Sequence, residues 1–227
     1  MFSLDVKYAG KSYTDKLENV RQELKKQKAR ALVVTMLDEV AWLFNLRGSD
    51  IDFNPVFFAY AVVSVDHAQL FVDPTQLSQD VRAQLGHDVQ LHPYDEFIPY
   101  LKQLGAGLQV RLSYLCCVDL MHSVRHQESQ KVLIGDKASV AVAEALGYPY
   151  ITIARSPIAD FKSIKNASEI KGFRASHIRD GSALVRYFAW LEEQLNNGVE
   201  LSESQGADQL EKFRGRVSIS GGRRGSY

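Results

Sequence analysis

Apolar positions recur along this chain with two alternating periods, one helical and one strand-like. Between residues 12 and 28, Leu17, Val20 and Leu24 stand at helical spacing among charged neighbours, which predicts a helix. Residues 31–35, Ala-Leu-Val-Val-Thr, form an apolar, β-branched run suited to a buried strand. Helical spacing returns over 37–45, with Val40, Ala41 and Phe44 on one side, and breaks at Gly48 and Asp50. Two strand-like runs, 55–65 and 68–72, surround Asp66 and His67 and predict a hairpin. Beyond it the pattern predicts a helix over 76–85, a strand over 89–92, and a helix over 95–104 with Asp95 as N-cap. A buried strand at 131–136, a helix at 139–146 and a strand at 150–153 follow. Such alternation implies an α/β layered domain over roughly the first two thirds of the chain.

After Pro157 the pattern changes. Residues 168–195 predict one long helix with Ile170, Phe173, Leu184, Phe188, Leu191 and Leu195 near one face. Ser168 directly ahead of Glu169 suits its start, because an acid in the first turn complements the helix dipole. Asn196-Asn197-Gly198 ends it, and a second helix is expected over 202–214 with Ser202 as its cap. Two helices with no following strand cannot complete a layer, so they read as the opening of another domain or a packing arm. Two stretches stand apart. Residues 108–130 show neither clean periodicity nor turn chemistry, and 215–227, rich in Gly, Ser and Arg, predict a disordered tail.

Composition narrows the function classes. With 227 residues, 45% hydrophobic and 24% charged, the chain can build one large domain or two modest ones. Lys plus Arg and Asp plus Glu both total 27, so net charge gives no reason to expect nucleic acid or an acidic membrane as partner. No apolar run approaches bilayer-spanning length. The first ten residues carry Asp5 and Lys7 and no apolar core, so no signal peptide is expected. The two cysteines, Cys116 and Cys117, are adjacent and cannot frame a disulfide scaffold, which makes a reducing cytoplasm the expected setting.

Few residue groups carry recognisable chemistry. Asp38 and Glu39 could act as a metal or acid/base pair. Adjacent helical residues point about 100° apart, however, and first-turn acids already suit the dipole, so the structural reading outweighs the catalytic one. His87 and His92, with Asp88 and Asp95 nearby, flank a strand at odd spacing and would face opposite sides, whereas strand ligands need even spacing. Cys116 and Cys117 with His122 and His126 form the most metal-like group, the histidines four apart on one helical face. Structural zinc prefers cysteines separated by two to four residues, so this cluster too reads as structural. Gly221 to Gly225, Gly-Gly-Arg-Arg-Gly, is a single terminal copy of an RNA-type tail motif in a neutral chain. No nucleophile elbow, P-loop or dinucleotide glycine pattern occurs.

The run from Leu37 to Asp50, Leu-Asp-Glu-Val-Ala-Trp-Leu-Phe-Asn-Leu-Arg-Gly-Ser-Asp, with Asn54-Pro-Val-Phe-Phe58 after it, closely resembles the eukaryotic Xaa-Pro aminopeptidase (aminopeptidase P) family. Tyr8-Ala-Gly10, residues 132–139, Ser156-Pro-Ile158 through Lys162, and Lys165-Asn-Ala-Ser-Glu-Ile170 extend the match. Ala175, His177, Ile178 and Asp180 follow in the same register. The resemblance implies an α/β fold: residues 1–160 as the second creatinase-like N-terminal domain, a mixed sheet flanked by helices. Residues 161–214 would be the first two helices of a truncated pita-bread catalytic domain. It further implies peptide substrates with proline in second position, two manganese ions in the full-length enzymes, a cytoplasmic location and a homo-oligomer. The family's metal ligands, two Asp, one His and two Glu, are expected beyond this chain, so no catalytic, substrate-binding or metal residue is assigned and no cofactor is expected to bind. The implied function is a fragment of a metallo-aminopeptidase, inactive by itself, or else a truncated interaction module. Residues 108–130, which interrupt the match, are expected to be an aberrant insertion from translated intron, and 215–227 the product of a shifted reading frame.

Overall fold

The computed structural model describes residues 1–86, 88–118 and 131–216. The chain passes from one compact unit to a second between Lys165 and Asn166.

In the first unit, β1 (Phe2–Ser3) leads into α1 (Val6–Ala9) and α2 (Tyr13–Lys26). Ser12 caps α2, its hydroxyl accepting from the Asp15 N–H at 3.1 Å. Then come β2 (Ala31–Val34), α3 (Leu37–Phe44), β3 (Leu46–Arg47) and the expected hairpin of β4 (Ala59–Ser64) and β5 (Ala68–Val72). α4 (Gln79–Leu85), β6 (Val89–His92), α5 (Phe97–Val118), β7 (Val132–Gly135), α6 (Val140–Leu146), β8 (Ile151–Ala154) and α7 (Pro157–Ser163) complete it.

The six-stranded sheet has the order β6-β5-β4-β2-β7-β8. β4 pairs antiparallel with both neighbours, and every other pairing is parallel. Five strands therefore leave the sheet at one end, where ligand sites of open α/β sheets gather. One sheet face packs Leu32, Val34, Ala61, Val63 and Leu70 against Leu17, Val20 and Leu24 of α2, Val40 and Phe44 of α3, Val81 and Leu85 of α4, and Ile158 of α7. The other packs Val33, Val62, Phe71 and Ile134 against Phe97, Leu101 and Leu108 of α5 and Val142 and Leu146 of α6. Burial on both faces explains why β2 and β7 read as unbroken apolar runs rather than alternating ones.

Some expectations needed correction. Asp95 does not cap the helix after β6: it lies inside a 3-10 turn, Tyr94–Glu96, and α5 starts at Phe97. That helix then runs to Val118, well past the predicted end at 104 and into the stretch without readable periodicity. A reason is visible at Gly105. A Cβ there would sit 2.5 Å from the Leu146 carbonyl oxygen, so a residue that reads as a helix breaker is needed where α5 and α6 touch. β1 and β3, which pair antiparallel through Phe2↔Arg47 and Ser3↔Leu46, are too short to leave a pattern. The loop after β3 folds back so that Gly48 meets Phe57, and it holds Phe53 at φ +61° with 89% of its surface exposed.

In the second unit, α8 (Ala167–Asn196) starts with a capping box not at Ser168 but at Asn166. The Asn166 side chain accepts from Glu169 N–H at 3.0 Å, and the Glu169 carboxylate accepts from Asn166 N–H at 2.8 Å. Ser202 caps α9 (Glu203–Arg216), which therefore extends two residues into the predicted tail. Within this unit Ala183 and Phe213 are buried, the Arg186 guanidinium lies over the Phe213 ring, and Arg214 bonds Asp180 at 2.6 Å. Ile170, Phe173, Ile178, Val185, Phe188 and Leu195 on α8 are exposed.

Candidate functional site: the carboxylate pocket at the start of α3

α3 begins abruptly. Met36, ahead of it, is extended and offers no side-chain cap, so the acids of the first turn, Asp38 and Glu39, answer the positive end of the helix. The two bind different groups, each more than a hundred positions away along the chain. Asp38 pairs with the Lys162 ammonium on α7. Glu39, only 7% exposed, accepts a hydrogen bond of 2.6 Å from the Ser156 hydroxyl. Ser156 is the N-cap of α7, yet its side chain makes no capping bond. The Ala159 N–H turns instead to the Ser156 carbonyl oxygen at 3.1 Å, and the hydroxyl is given to Glu39.

Burial pushes the Glu39 carboxyl above its ordinary 4.5. Ser156 opposes that shift, the neighbouring charges of Asp38 and Asp136 add to it, and Lys162 opposes it. Asp38, Glu39, Ala159, Lys162, Ser163 and Lys165 line a cavity of about 180 Å³. Lys165 donates to the Ser163 carbonyl oxygen at 3.2 Å.

Among the described residues, no other candidate joins a metal-binding group. His92 stacks on Phe71 with ring centroids 5.0 Å apart, and its Nδ1 lies 3.6 Å from a Glu96 carboxylate oxygen. Its Nε2 is buried without a hydrogen-bond partner among the described residues. Asp88 accepts from the Tyr13 hydroxyl at 3.4 Å, far in role from any metal. His87, His122, His126 and the Gly221 to Gly225 motif lie outside the described residues, and of Cys116 and Cys117 only the helical backbone of α5 is described. Sequence reasoning missed Ser156, for which no local pattern exists. It also missed Lys16, which is 1% exposed and occupies the apolar stripe of α2 between Tyr13 and Val20; a lysine in that register was a readable signal.

Residues 1–169 match the Creatinase/Prolidase N-terminal domain family. The chain belongs to that family. A protein of Laccaria bicolor named Probable Xaa-Pro aminopeptidase P is 55% identical over 219 residues, covering 96% of this chain but 32% of the relative. Its namesake in Coprinopsis cinerea is 48% identical over 226 residues, 96% of this chain and 34% of that one. The crystal structure of the X-prolyl aminopeptidase of Caenorhabditis elegans, described as a cytosolic enzyme with a di-nuclear active site, superposes with a TM-score of 0.80. It is 30% identical to this chain, with 94% of this chain and 32% of the nematode chain covered. An Xaa-Pro dipeptidase of Bacillus anthracis shares the fold at 14% identity and a TM-score of 0.55, with 92% and 50% covered. This chain thus spans about a third of the length of the aminopeptidases it resembles.

A di-nuclear centre does not fit the described residues. No group of three or more His, Cys, Asp or Glu among them is placed to hold a metal ion. Asp38 and Glu39 are engaged by a lysine ammonium and a serine hydroxyl respectively. Among the described residues, no helix is long and apolar enough to cross a membrane.

Proposed function

We propose that this chain is a framing portion of a cytosolic Xaa-Pro aminopeptidase rather than the portion that performs the chemistry. In this reading residues 1–160 form the second creatinase-like N-terminal domain and 161–214 the opening helices of the pita-bread catalytic domain. The hydrolysis of peptides with a penultimate proline, assisted by two manganese ions, would draw its metal ligands from elsewhere in such an enzyme. The observation that carries the reading is 55% identity over 219 residues, nearly the whole chain, to a protein named Probable Xaa-Pro aminopeptidase P of which these residues make up 32%. The division of the chain at Lys165 supports the two-part assignment.

The test is to incubate the purified 227-residue chain with manganese and an Xaa-Pro peptide, alongside a calorimetric manganese titration. Neither amino-acid release nor tight metal uptake is expected. Metal-dependent release that copurifies with the chain, or two ions held tightly by it, would overturn the proposal.

A second reading, a non-catalytic interaction module, rests on the exposed apolar residues of α8. Each such side chain gains roughly 1.5–3 kcal/mol on full burial, so this surface favours self-association or a partner. Sedimentation velocity distinguishes the cases: concentration-dependent oligomers support the module, and a monomer at all concentrations counts against it.

A further inference from the structure

We propose that Asp38, Glu39, Ser156 and Lys162 form a proton-operated clasp, which holds the segment from Arg155 to Lys165 on α3 while Glu39 is neutral and slackens when Glu39 ionises. The segment is fastened in two ways. Its apolar side is anchored by Ile158, fully buried, and by Phe161, packed on the same core. Its polar side depends on two bonds to consecutive residues of α3, Glu39 to Ser156 and Asp38 to Lys162.

The cations near Glu39 are engaged elsewhere. Asp38 faces it from its own helix and Asp136 from the end of β7, while Lys162 on α7 pairs with Asp38, and Lys165, on the same cavity, donates to the Ser163 carbonyl oxygen at 3.2 Å. Arg155, at the start of the segment, is taken by Asp160 at 2.7 Å. A neutral carboxyl accepts more weakly from Ser156, yet sets no charge against Asp38 and Asp136. An ionised one must be held in a buried position against Asp38 and Asp136. The raised proton affinity of Glu39 agrees with this. The adjoining cavity, lined by Glu39 itself, gives the carboxylate room to turn toward water, and that movement breaks its bond with Ser156. The clasp sits immediately before Asn166, so proton uptake at Glu39 sets how firmly the last stretch of the first unit is held.

The experiment is an NMR titration of the whole isotope-labelled chain from about pH 4 to about pH 8, following the Glu39 carboxyl carbon and the amides of 155–165. Glu39 should titrate above 4.5, its ordinary value, and the segment's amides should share that midpoint. Hydrogen-exchange protection of those amides, corrected for intrinsic rates, should fall several-fold above it. Glu39→Gln should abolish the shared midpoint and keep the segment protected throughout. Lys162→Met and Ser156→Ala, which remove the two influences that favour the charged form, should each move the midpoint higher. Unchanged protection across the Glu39 titration overturns the clasp, and so does a segment midpoint that survives in Glu39→Gln or ignores both other variants.

Discussion

The ammonium of Lys16 lies 4.1 Å from the centroid of the Trp42 ring and donates to the Trp42 carbonyl oxygen at 2.8 Å and to Asn45 Oδ1 at 2.6 Å. A buried cation thus closes the C-terminal, negative end of α3, beside a left-handed Asn45. Lys16→Met keeps the apolar stem and removes the charged donor, so both acceptors lose it in a buried place. The variant should lose about 1.5–3 kcal/mol, the worth of hydrogen bonds to a charged group, measured by urea unfolding with tryptophan fluorescence. An unchanged midpoint would show the charge to be idle.

Gly105→Ala tests the contact between α5 and α6. In an open helix this change stabilises by about 1 kcal/mol. Here the new Cβ would stand 2.5 Å from the Leu146 carbonyl oxygen and 3.1 Å from that of Ala145. The sign should reverse, to a loss of about 1–3 kcal/mol. A gain in thermal stability would mean that α6 yields freely.

Glu39 makes global stability depend on pH. Its carboxyl titrates higher in the folded chain than in the unfolded one, where 4.5 is ordinary, so the folded state holds the proton more tightly. The contribution is fully present below 4.5 and is lost as pH rises through the folded-state value. Glu39→Gln cannot ionise and should escape that loss. Unfolding midpoints of the two proteins, compared across pH, should move in the variant's favour over this window; parallel curves would contradict the assignment.

Phe53 adopts a left-handed backbone while almost wholly exposed, so conformational cost is not repaid by burial. Phe53→Asn, a residue that tolerates this conformation, should raise stability by about 1 kcal/mol in thermal unfolding. A destabilised variant would show that the ring makes a contact worth more than the strain.

What could be read in the chain beforehand divides by distance along it. The β4–β5 hairpin, the buried runs of β2 and β7, and the cap at Ser202 are local patterns, and each is where its residues indicate. The capping box was overlooked because Ser168 was read as the start, when Asn166 and Glu169 hold the required spacing. Asp38 and Glu39 were recognisable as first-turn acids. Their partners were not, because Ser156 and Lys162 are brought to them by the sheet and by α7, across separations that no periodicity spans. The long α5 stayed hidden because Gly105 and Gly107 break the apolar stripe that announces a helix.

The order of strands also governs how the molecule must be made. β2, β4, β5 and β6 follow one another in the chain and can pair as synthesis proceeds, but Ala31 of β2 meets Val132 of β7 across roughly 100 residues. Until that stretch has left the ribosome, β2 presents a bare apolar edge in the middle of the future sheet. Long-range pairing of this kind is slow to form, and strand edges stay open to other chains in the meantime.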